Sequence, residues 1–299
     1  MTDYVRVLRI EKRRNMLMKW LGVLLVPMMV LPSNVKANKL CVAISNGSNI
    51  QIVTLNDQGS LVQTSELRFE GLTNTVWPTY NNYIGKLIFG ADENGESGIY
   101  IASGVKENRK VEILVRGRLP AQSQNGEYLA YINTQGVLEI YDFRSKVTHA
   151  MTGAAITSSV WGRVTWFGSN NVVYTDEKGS LIKYDIISRI FEVIPSSIVY
   201  PVGSNNNGIY FIDEDGMEIS FYDYKAKRFS SILKSRFLTI APSIMYLNEL
   251  NGFVFAQQTW RDTLRLSTRK SLQFFDYDSR KRTVLMENST FFGGTKLPC

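Results

Sequence analysis

The 299-residue sequence predicts an all-β protein: a six-bladed β-propeller with four-stranded antiparallel blades, preceded by an N-terminal signal or anchor segment. Two observations carry this prediction. One phrase recurs along the chain, in the order strand, tight turn with glycine, second strand and aromatic–aspartate pair. No stretch beyond the first 37 residues has the 3.6-residue apolar period of a helix. The clearest copies are YLAYINTQGVLEIYD (128–142), NVVYTDEKGSLIKYD (171–185) and GIYFIDEDGMEISFYD (208–223).

The spacing of the turn glycines predicts the size of one repeating unit. Successive glycines are 36, 41, 43 and 37 residues apart, at Gly59, Gly95, Gly136, Gly179 and Gly216. A unit of about 40 residues made only of strands is typical of a propeller blade, which cannot bury its faces alone. Three weaker copies, the last with an insertion between its strands, occupy residues 49–65, 86–102 and 253–276. We therefore expect one propeller domain over residues 38–299.

The first 37 residues differ from the rest of the chain. Basic residues between Arg6 and Lys19 precede the apolar run WLGVLLVPMMVL (20–31), and small residues follow at Val35 and Ala37. This order is typical of a signal peptide cleaved after Ala37. The apolar run is short for a membrane span, which needs about 20 residues. Residues 1–37 are thus predicted to be a signal peptide, with an uncleaved membrane anchor as the alternative.

Much of the basic net charge lies in the segment that export is predicted to remove. Seven of the 34 basic residues and two of the 27 acidic ones lie in the first 37 residues, so the remainder has a net charge of only about +2. A nearly neutral domain lacks the basic surface of a nucleic-acid-binding protein, and we expect no nucleic-acid partner. The predicted location is the periplasm. A secreted protein is an alternative, since Asn46 and Asn288 begin glycosylation sequons.

Two cysteines, Cys41 and Cys299, lie near the two ends of the predicted domain. In an oxidising compartment they can pair. A propeller is closed in most families when its first and last strands share a sheet, so a disulfide here would close the ring. Over such a long loop it would stabilise the fold by about 4 to 5 kcal/mol. Two unpaired thiols are the alternative.

The third copy of the phrase also carries a family resemblance. PAQSQNGEYLAY (120–131), followed by LEIYDF (138–143), resembles the repeat of TolB-type β-propellers, in which a Trp-Ser-Pro-Asp-Gly turn precedes a hydrophobic strand. Trp166 keeps the aromatic residue in the fourth copy, and Tyr80 replaces it in the second. The resemblance covers most of residues 40–299. It implies a six-bladed periplasmic propeller that binds or scaffolds other proteins.

The sequence favours a non-enzymatic protein with no catalytic residue, metal or cofactor. The only histidine is His149, and no Gly-x-Ser-x-Gly motif is present, so the usual catalytic triads cannot be assembled elsewhere. The acids Asp213, Glu214 and Asp215 resemble part of a calcium loop but lack its later bidentate glutamate. We interpret them as turn residues. A lactonase-like hydrolase with a metal in the channel stays as an alternative, by analogy of fold.

The sixth copy departs most from the phrase and is the predicted partner-binding site. Its insertion, QTWRDTLRLSTRKS (258–271), adds an aromatic residue and several cations to a nearly neutral domain. Tryptophan and arginine are enriched where proteins bind one another. The alternative is a longer solvated hairpin. The candidate residues are Trp260, Arg261, Arg265 and Arg269.

These observations together predict an exported, monomeric, TolB-like propeller that serves as a protein- or peptide-binding or scaffolding module in the cell envelope. One alternative is a membrane-anchored periplasmic sensor ectodomain, which would contact the membrane only through an uncleaved N-terminal segment. The lactonase-like hydrolase is the second alternative. The partner itself is not predicted.

Overall fold

The computed structural model describes residues 39–103, 110–155, 164–196, 199–213, 217–234, 239–260, 268–289 and 293–298. Side chains at 152–155, 199, 239–243, 259–260 and 268–269 are outside that description. The described chain forms 24 strands in six four-stranded antiparallel sheets. This confirms the predicted all-β propeller with six blades. No helix of the described chain is long and apolar enough to cross a membrane. The predicted signal segment lies outside the described residues, so the division at residue 37 stays a prediction.

The strands follow the chain from blade to blade. Blades 1 to 3 contain β1 (Leu40–Ser45), β2 (Ile50–Leu55), β3 (Leu61–Leu67), β4 (Thr73–Asn81), β5 (Lys86–Glu93), β6 (Glu96–Ala102), β7 (Val111–Arg116), β8 (Arg118–Gln122), β9 (Tyr128–Ile132), β10 (Val137–Asp142) and β11 (Val147–Ala155). Blades 4 to 6 contain β12 (Val164–Phe167), β13 (Asn171–Thr175), β14 (Leu181–Asp185), β15 (Ile190–Ile194), β16 (Val199–Asn205), β17 (Gly208–Asp213), β18 (Glu218–Asp223), β19 (Arg228–Lys234), β20 (Thr239–Leu247), β21 (Gly252–Trp260), β22 (Thr268–Asp276) and β23 (Arg282–Glu287). β24 (Gly294–Leu297) returns to blade 1.

The ring is closed by the last strand of the chain. β24 pairs antiparallel with β1, from Cys41 opposite Leu297 to Ile44 opposite Gly294. It therefore takes the innermost place in blade 1. The innermost strands β4, β8, β12, β16, β20 and β24 contact one another in turn around a complete circle. The first and last strands thus share one sheet, as expected for a closed propeller.

One feature of the predicted repeat is wrong in blade 1. Because β24 is the innermost strand there, residues 49–65 form the third and fourth strands of the blade rather than the second and third. Gly59 consequently lies in a different turn from Gly95 and Gly136, and the interval between Gly59 and Gly95 does not measure a blade. The equivalent turn contains Gly47. Hairpins resemble one another locally, so the sequence alone could not place this one within its blade.

The acidic and amide residues of the glycine turns act as turn residues, as predicted. The carboxylate of Asp176 accepts hydrogen bonds from the backbone N–H groups of Lys178 and Ser180 at 2.9 and 2.7 Å. The carboxylate of Asp213 likewise accepts the N–H of Met217 at 2.7 Å, although Glu214 and Asp215 lie outside the described residues. These contacts stabilise the turn directly.

The aspartate of each aromatic–aspartate pair begins the turn to the fourth strand. Asp185, for example, accepts the backbone N–H groups of Ile187 and Ser188, each at 2.9 Å. Four residues after the aspartate, a basic residue adopts the left-handed conformation in four blades; these residues are Lys146, Arg189, Lys227 and Arg280. We call the face of the propeller that carries these turns the Asp-turn end.

The core lies between neighbouring blades, with its apolar side chains on both faces of each sheet. Blades 5 and 6 enclose Tyr210, Phe253 and Phe255, all at 1% exposure or less. Blades 2 and 3 enclose Ile99 and Leu129, both fully buried. Each such side chain contributes about 1.5 to 3 kcal/mol of burial free energy. The blades are therefore rigid supports for whatever lies in the channel or at the rim.

Candidate functional site: the central channel and an outer groove

A narrow channel of ≈ 190 Å³ runs between the innermost strands. Its described lining contains no aspartate, glutamate, histidine, lysine or arginine. The polar side chains of the lining are those of Thr79, Gln122, Thr165 and Ser204, of which Gln122 and Ser204 donate hydrogen bonds to backbone carbonyls of the protein. Among the described residues no group of three or more His, Cys, Asp or Glu side chains is placed to hold a metal ion. The channel offers neutral hydrogen-bonding groups and aromatic surface.

Prolines shape the channel wall. Pro78, Pro120, Pro201 and Pro242 lie in the innermost strands of blades 2, 3, 5 and 6. The pairing with the second strand is irregular around each of them. By contrast, β12 contains no proline and pairs in regular register. Proline is tolerated here because the innermost strand is a sheet edge and its missing N–H breaks no ladder.

One end of the channel is narrowed by contacts between turns. Gln124 Nε2 donates to Asn206 Oδ1 at 2.7 Å, which joins the Asp-turn end of blade 3 to that of blade 5. The backbone N–H of Gln124 also donates to the carbonyl of Gly168 in blade 4 at 3.3 Å. In the next pair of blades, Asn81 Nδ2 donates to the carbonyl of Gly126 at 2.9 Å. These hydrogen bonds hold the turns of different blades together at this end of the channel.

A much larger cavity, of ≈ 630 Å³, lies at the rim between the outer halves of blades 3 and 4. We call it the outer groove. Blade 3 contributes Ile140, His149 and Met151 to its wall, and blade 4 contributes Tyr184 and Phe191. The Phe191 ring packs on Tyr184 across the strand pair, with ring centroids 4.5 Å apart. The floor is therefore apolar and aromatic, while Asp142, Thr148 and Arg189 add polar groups to the wall.

Exposed apolar side chains surround the outer groove. Ile187 and Phe191, at 63% and 50% exposure, lie in its wall. Val193 lies two residues after Phe191 on the same face of the outer strand β15 and is 61% exposed. Val147 begins β11 on the other side and is 46% exposed. Such a concentration of exposed apolar surface is uncommon on a monomer and marks interaction sites.

His149 lies in the wall of the outer groove and is exposed. Asp142 lines the same groove, and the pKa of its carboxyl lies below its ordinary value. Burial alone would raise that pKa. The hydrogen bonds from Ser145 and Arg144 outweigh the burial, and the charge of His149 adds to them. Asp142 thus stays ionised as a turn residue.

The interface between blades 4 and 5 is filled by side chains at the place that corresponds to the outer groove. Lys183 Nζ lies 2.5 Å from Glu192 Oε2, and the Tyr224 hydroxyl donates to the same carboxylate oxygen at 2.8 Å. Lys183 also lies over the Tyr224 ring, 4.4 Å from its centroid. The hydrogen bond from Lys183 is the main reason that the pKa of Glu192 lies below its ordinary value. These three side chains fill the space that is open in the outer groove.

The sequence-predicted sites lie at the margins of the described chain. Trp260 ends β21 and Arg269 lies in β22, but their side chains are outside the described residues, and so are Arg261 and Arg265 entirely. Cys41 lies opposite Leu297, two residues before Cys299, which is not described. The partner-binding insertion and the disulfide stay predictions. The outer groove was missed because its residues are distant in sequence and meet only across two blades.

Comparisons with known proteins show the fold of the chain but assign it to no family. No protein-family model and no curated protein matches the chain. It is similar to a chain in a nidogen/laminin complex (TM-score 0.65, 10% identity, 86% of this chain and 98% of that one). It is also similar to a Bacteroides uniformis protein assigned as a 6-phosphogluconolactonase (0.52, 12%, 84% and 83%). An oligogalacturonate lyase in complex with manganese is a third (0.50, 11%, 84% and 73%). At such identities these likenesses show the β-propeller fold alone.

Proposed function

We propose that this protein is a non-enzymatic β-propeller that binds a protein or peptide partner in the cell envelope, in the manner the TolB-type resemblance implies. The observation that carries this proposal is the outer groove, a cavity of ≈ 630 Å³ bordered by exposed apolar side chains of β11 and β15. Apolar surface left in water is costly, and contiguous patches usually mark a contact with another molecule.

The neutral channel gives secondary support. Hydrolysis by a metal-bound water needs carboxylate or histidine ligands in the cavity, and the described channel lining has neither. The similarity to a chain of the nidogen/laminin complex agrees with a binding role, because that chain was crystallised in a complex of two proteins. The similarity to the lactonase-assigned protein favours the alternative of a hydrolase. Metal titration of the purified protein, followed by calorimetry, separates the two classes.

Location in the envelope rests on the N-terminal segment. The predicted cleavage after Ala37 would release a periplasmic protein, whereas an uncleaved segment would make it a membrane-anchored sensor ectodomain. The N-terminal sequence of the mature protein distinguishes these. A start at Asn38 supports the free periplasmic form.

Site-specific photo-crosslinking tests the binding proposal. A photoreactive amino acid at Val193 on β15 should capture a partner in the exported fraction, and mass spectrometry identifies it. The matched control is Val284, which is 49% exposed on the outer strand β23 of blade 6. Capture at Val193 but not at Val284 is the expected result. Equal capture at both positions would contradict the assignment of the surface.

The insertion of the sixth repeat is tested in the same cells. If it is the contact surface, the double change Trp260→Ala and Arg261→Ala should abolish partner recovery, and Val193 should capture no more partner than Val284. If the outer groove is the contact surface, recovery in this variant stays at the wild-type level. Loss of all capture at every position would remove the binding function itself.

A further inference from the structure

We propose that the outer groove takes an extended peptide in which apolar side chains alternate with acidic ones. This inference rests on the proposed binding function and adds the chemistry of the partner. Three features of the groove lead to it: an apolar floor, two strand edges with Glu192 as their one charged residue, and a cluster of cations at one end.

The floor of the groove calls for apolar side chains. Met151 and Ile140 are buried at its base, at 5% and 4% exposure, and Phe191 and Ile187 stand at its mouth. A volume of ≈ 630 Å³ accommodates several aliphatic or aromatic side chains. A peptide that leaves water for this surface gains about 25 cal/mol for each Å² of apolar area buried.

The edges of the groove suit an extended backbone. β11 and β15 are the outermost strands of blades 3 and 4, so one side of each has unpaired N–H and C=O groups. An extended segment binds such an edge through main-chain hydrogen bonds, and its alternate side chains then point towards the groove. An edge of this kind is normally protected by charged residues.

These two edges are the ones that lack that protection. The other outer strands have exposed charged residues: Glu66 in β3, Glu112 and Arg116 in β7, Arg228 and Lys234 in β19, and Arg282 and Glu287 in β23. β11 contains no Lys, Arg, Asp or Glu. β15 contains only Glu192, and its carboxylate is held by Lys183 and Tyr224 on the side of blade 5.

The cations explain the preference for acidic side chains. Arg189 lies in the groove wall, and Arg144 and Lys146 lie in the turn that leads into β11, at the same Asp-turn end. All three are exposed, and none has an ion-pair partner among the described residues. Asp142 also lines the groove, but its carboxylate, like that of Asp185, accepts backbone N–H groups of its own turn. A peptide carboxylate would therefore meet cations that are available to it.

A second copy of the chain fits this surface less well. Two β15 strands paired antiparallel about their middle residue would place Glu192 directly opposite Glu192. Like charges in that position are destabilising. A membrane surface is flat, whereas this site is concave. A peptide is the occupant that satisfies the floor, the edges and the cations together.

Binding of defined synthetic peptides tests the inference. The probe is a fluorescein-labelled peptide of about ten residues in which leucine alternates with glutamate; one counterpart has lysine for glutamate and another has serine for leucine. We expect the acidic probe to bind the full-length protein by fluorescence anisotropy. Phe191→Ala should weaken it about tenfold, as for a central aromatic contact. Arg189→Asn should weaken it up to about fivefold, more at low salt than at high salt.

The variants are matched to controls. Arg189 has φ = 60°, and asparagine tolerates that left-handed conformation, so Arg189→Asn removes charge without straining the turn. Lys227→Asn makes the same change at the equivalent turn of blade 5, where φ is 50°, and should leave binding unchanged. Circular dichroism and thermal melting of every variant identify any that fails to fold, and Val193→Ser then replaces it.

Each other outcome overturns part of the proposal. Equal binding of the lysine counterpart removes the acidic preference. Acidic-probe binding that survives both Phe191→Ala and Val193→Ser removes the site, while the binding function stands. No binding of the acidic probe, with partner capture retained at Val193, removes the peptide chemistry alone. Concentration-dependent dimers that Val193→Ser abolishes, or binding to phosphatidylglycerol vesicles that Arg189→Asn abolishes, would replace the peptide by a second copy or a membrane.

Discussion

The interface of blade 4 with blade 3 and its interface with blade 5 each contain a cross-strand Tyr–Phe pair, but only the interface with blade 5 is filled at its outer edge. In blade 4, Tyr184 and Phe191 form a cross-strand aromatic pair that faces blade 3, with centroids 4.5 Å apart. In blade 5, Tyr222 and Phe229 form the equivalent pair, facing blade 4 at 4.8 Å. The first pair borders an open groove. The second is packed against side chains of blade 4, and Tyr222 is only 6% exposed.

Three positions account for the difference. Lys183 and Glu192 of blade 4 are paired across β14 and β15, and the equivalent residues of blade 3, Ile140 and His149, are paired across β10 and β11. The third position follows the aspartate and is Tyr224 in blade 5. In blade 4 it is isoleucine. An ion pair and a tyrosine fill the outer gap in one case, and shorter side chains leave it open in the other. Repeated backbones can thus differ in function through a few outward-facing positions.

Removing the aromatic ring of each pair should give the largest contrast. Tyr222→Ala creates a cavity in a filled interface and should lower the free energy of unfolding by about 3 to 4 kcal/mol. Tyr184→Ala removes a half-buried ring that already borders solvent, and should cost roughly half as much. Urea denaturation followed by tryptophan fluorescence measures both values. Equal losses would mean that the groove is no more open in solution than the interface of blades 4 and 5.

The ion pair should give a smaller effect that depends on pH. Lys183→Met removes the contact to Glu192, and we expect a loss of about 1 to 2 kcal/mol at neutral pH for this half-exposed pair. Because the pKa of Glu192 lies below its ordinary value of 4.5, its contribution is present above that pH and is lost as the pH falls through the lower, folded value. The variant should therefore lose less stability than the wild type on acidification below about pH 5.

The pKa of Lys183, the basic residue of the same pair, gives an independent check at high pH. Burial alone would lower the pKa of Lys183, but its hydrogen bonds to Glu192 and Tyr224 raise it above its ordinary value of 10.5. The corresponding stabilisation is complete below that pH and is lost as the pH rises through the higher, folded value. Parallel stability curves for the wild type and Lys183→Met across both ranges would contradict the ion pair.

The blades and turns could be predicted from the sequence because they depend on local patterns. The carboxylate of Asp185 bonds to amides two and three residues away, and such contacts leave a recognisable phrase. The sharing of one sheet by the first and last strands was expected because a propeller must close, but the sequence did not show that β24 shifts the first repeat within its blade. The outer groove is different. It depends on Ile140, Phe191 and their neighbours in two blades, and no spacing along the chain shows that a residue such as Tyr224 is missing from one interface.

The smallest change in stability is expected when a tyrosine is moved between the two interfaces. Ile186 lines the outer groove at the position equivalent to Tyr224. Ile186→Tyr should change the free energy of unfolding by no more than about 0.5 kcal/mol, as for most partly exposed positions, yet its ring would occupy the groove. Thermal melting measures the first effect, and anisotropy with the acidic peptide measures the second.

The reciprocal change makes this test decisive. Tyr224→Ile removes the hydrogen bond to Glu192 and should cost about 1 kcal/mol, without altering peptide binding at the outer groove. If Ile186→Tyr leaves peptide affinity unchanged, the peptide does not enter between blades 3 and 4. If Tyr224→Ile creates a second site of similar affinity, an open gap next to a Tyr–Phe pair at the Asp-turn end is sufficient for binding. Loss of affinity in the first variant alone would show that the peptide binds in the gap between blades 3 and 4.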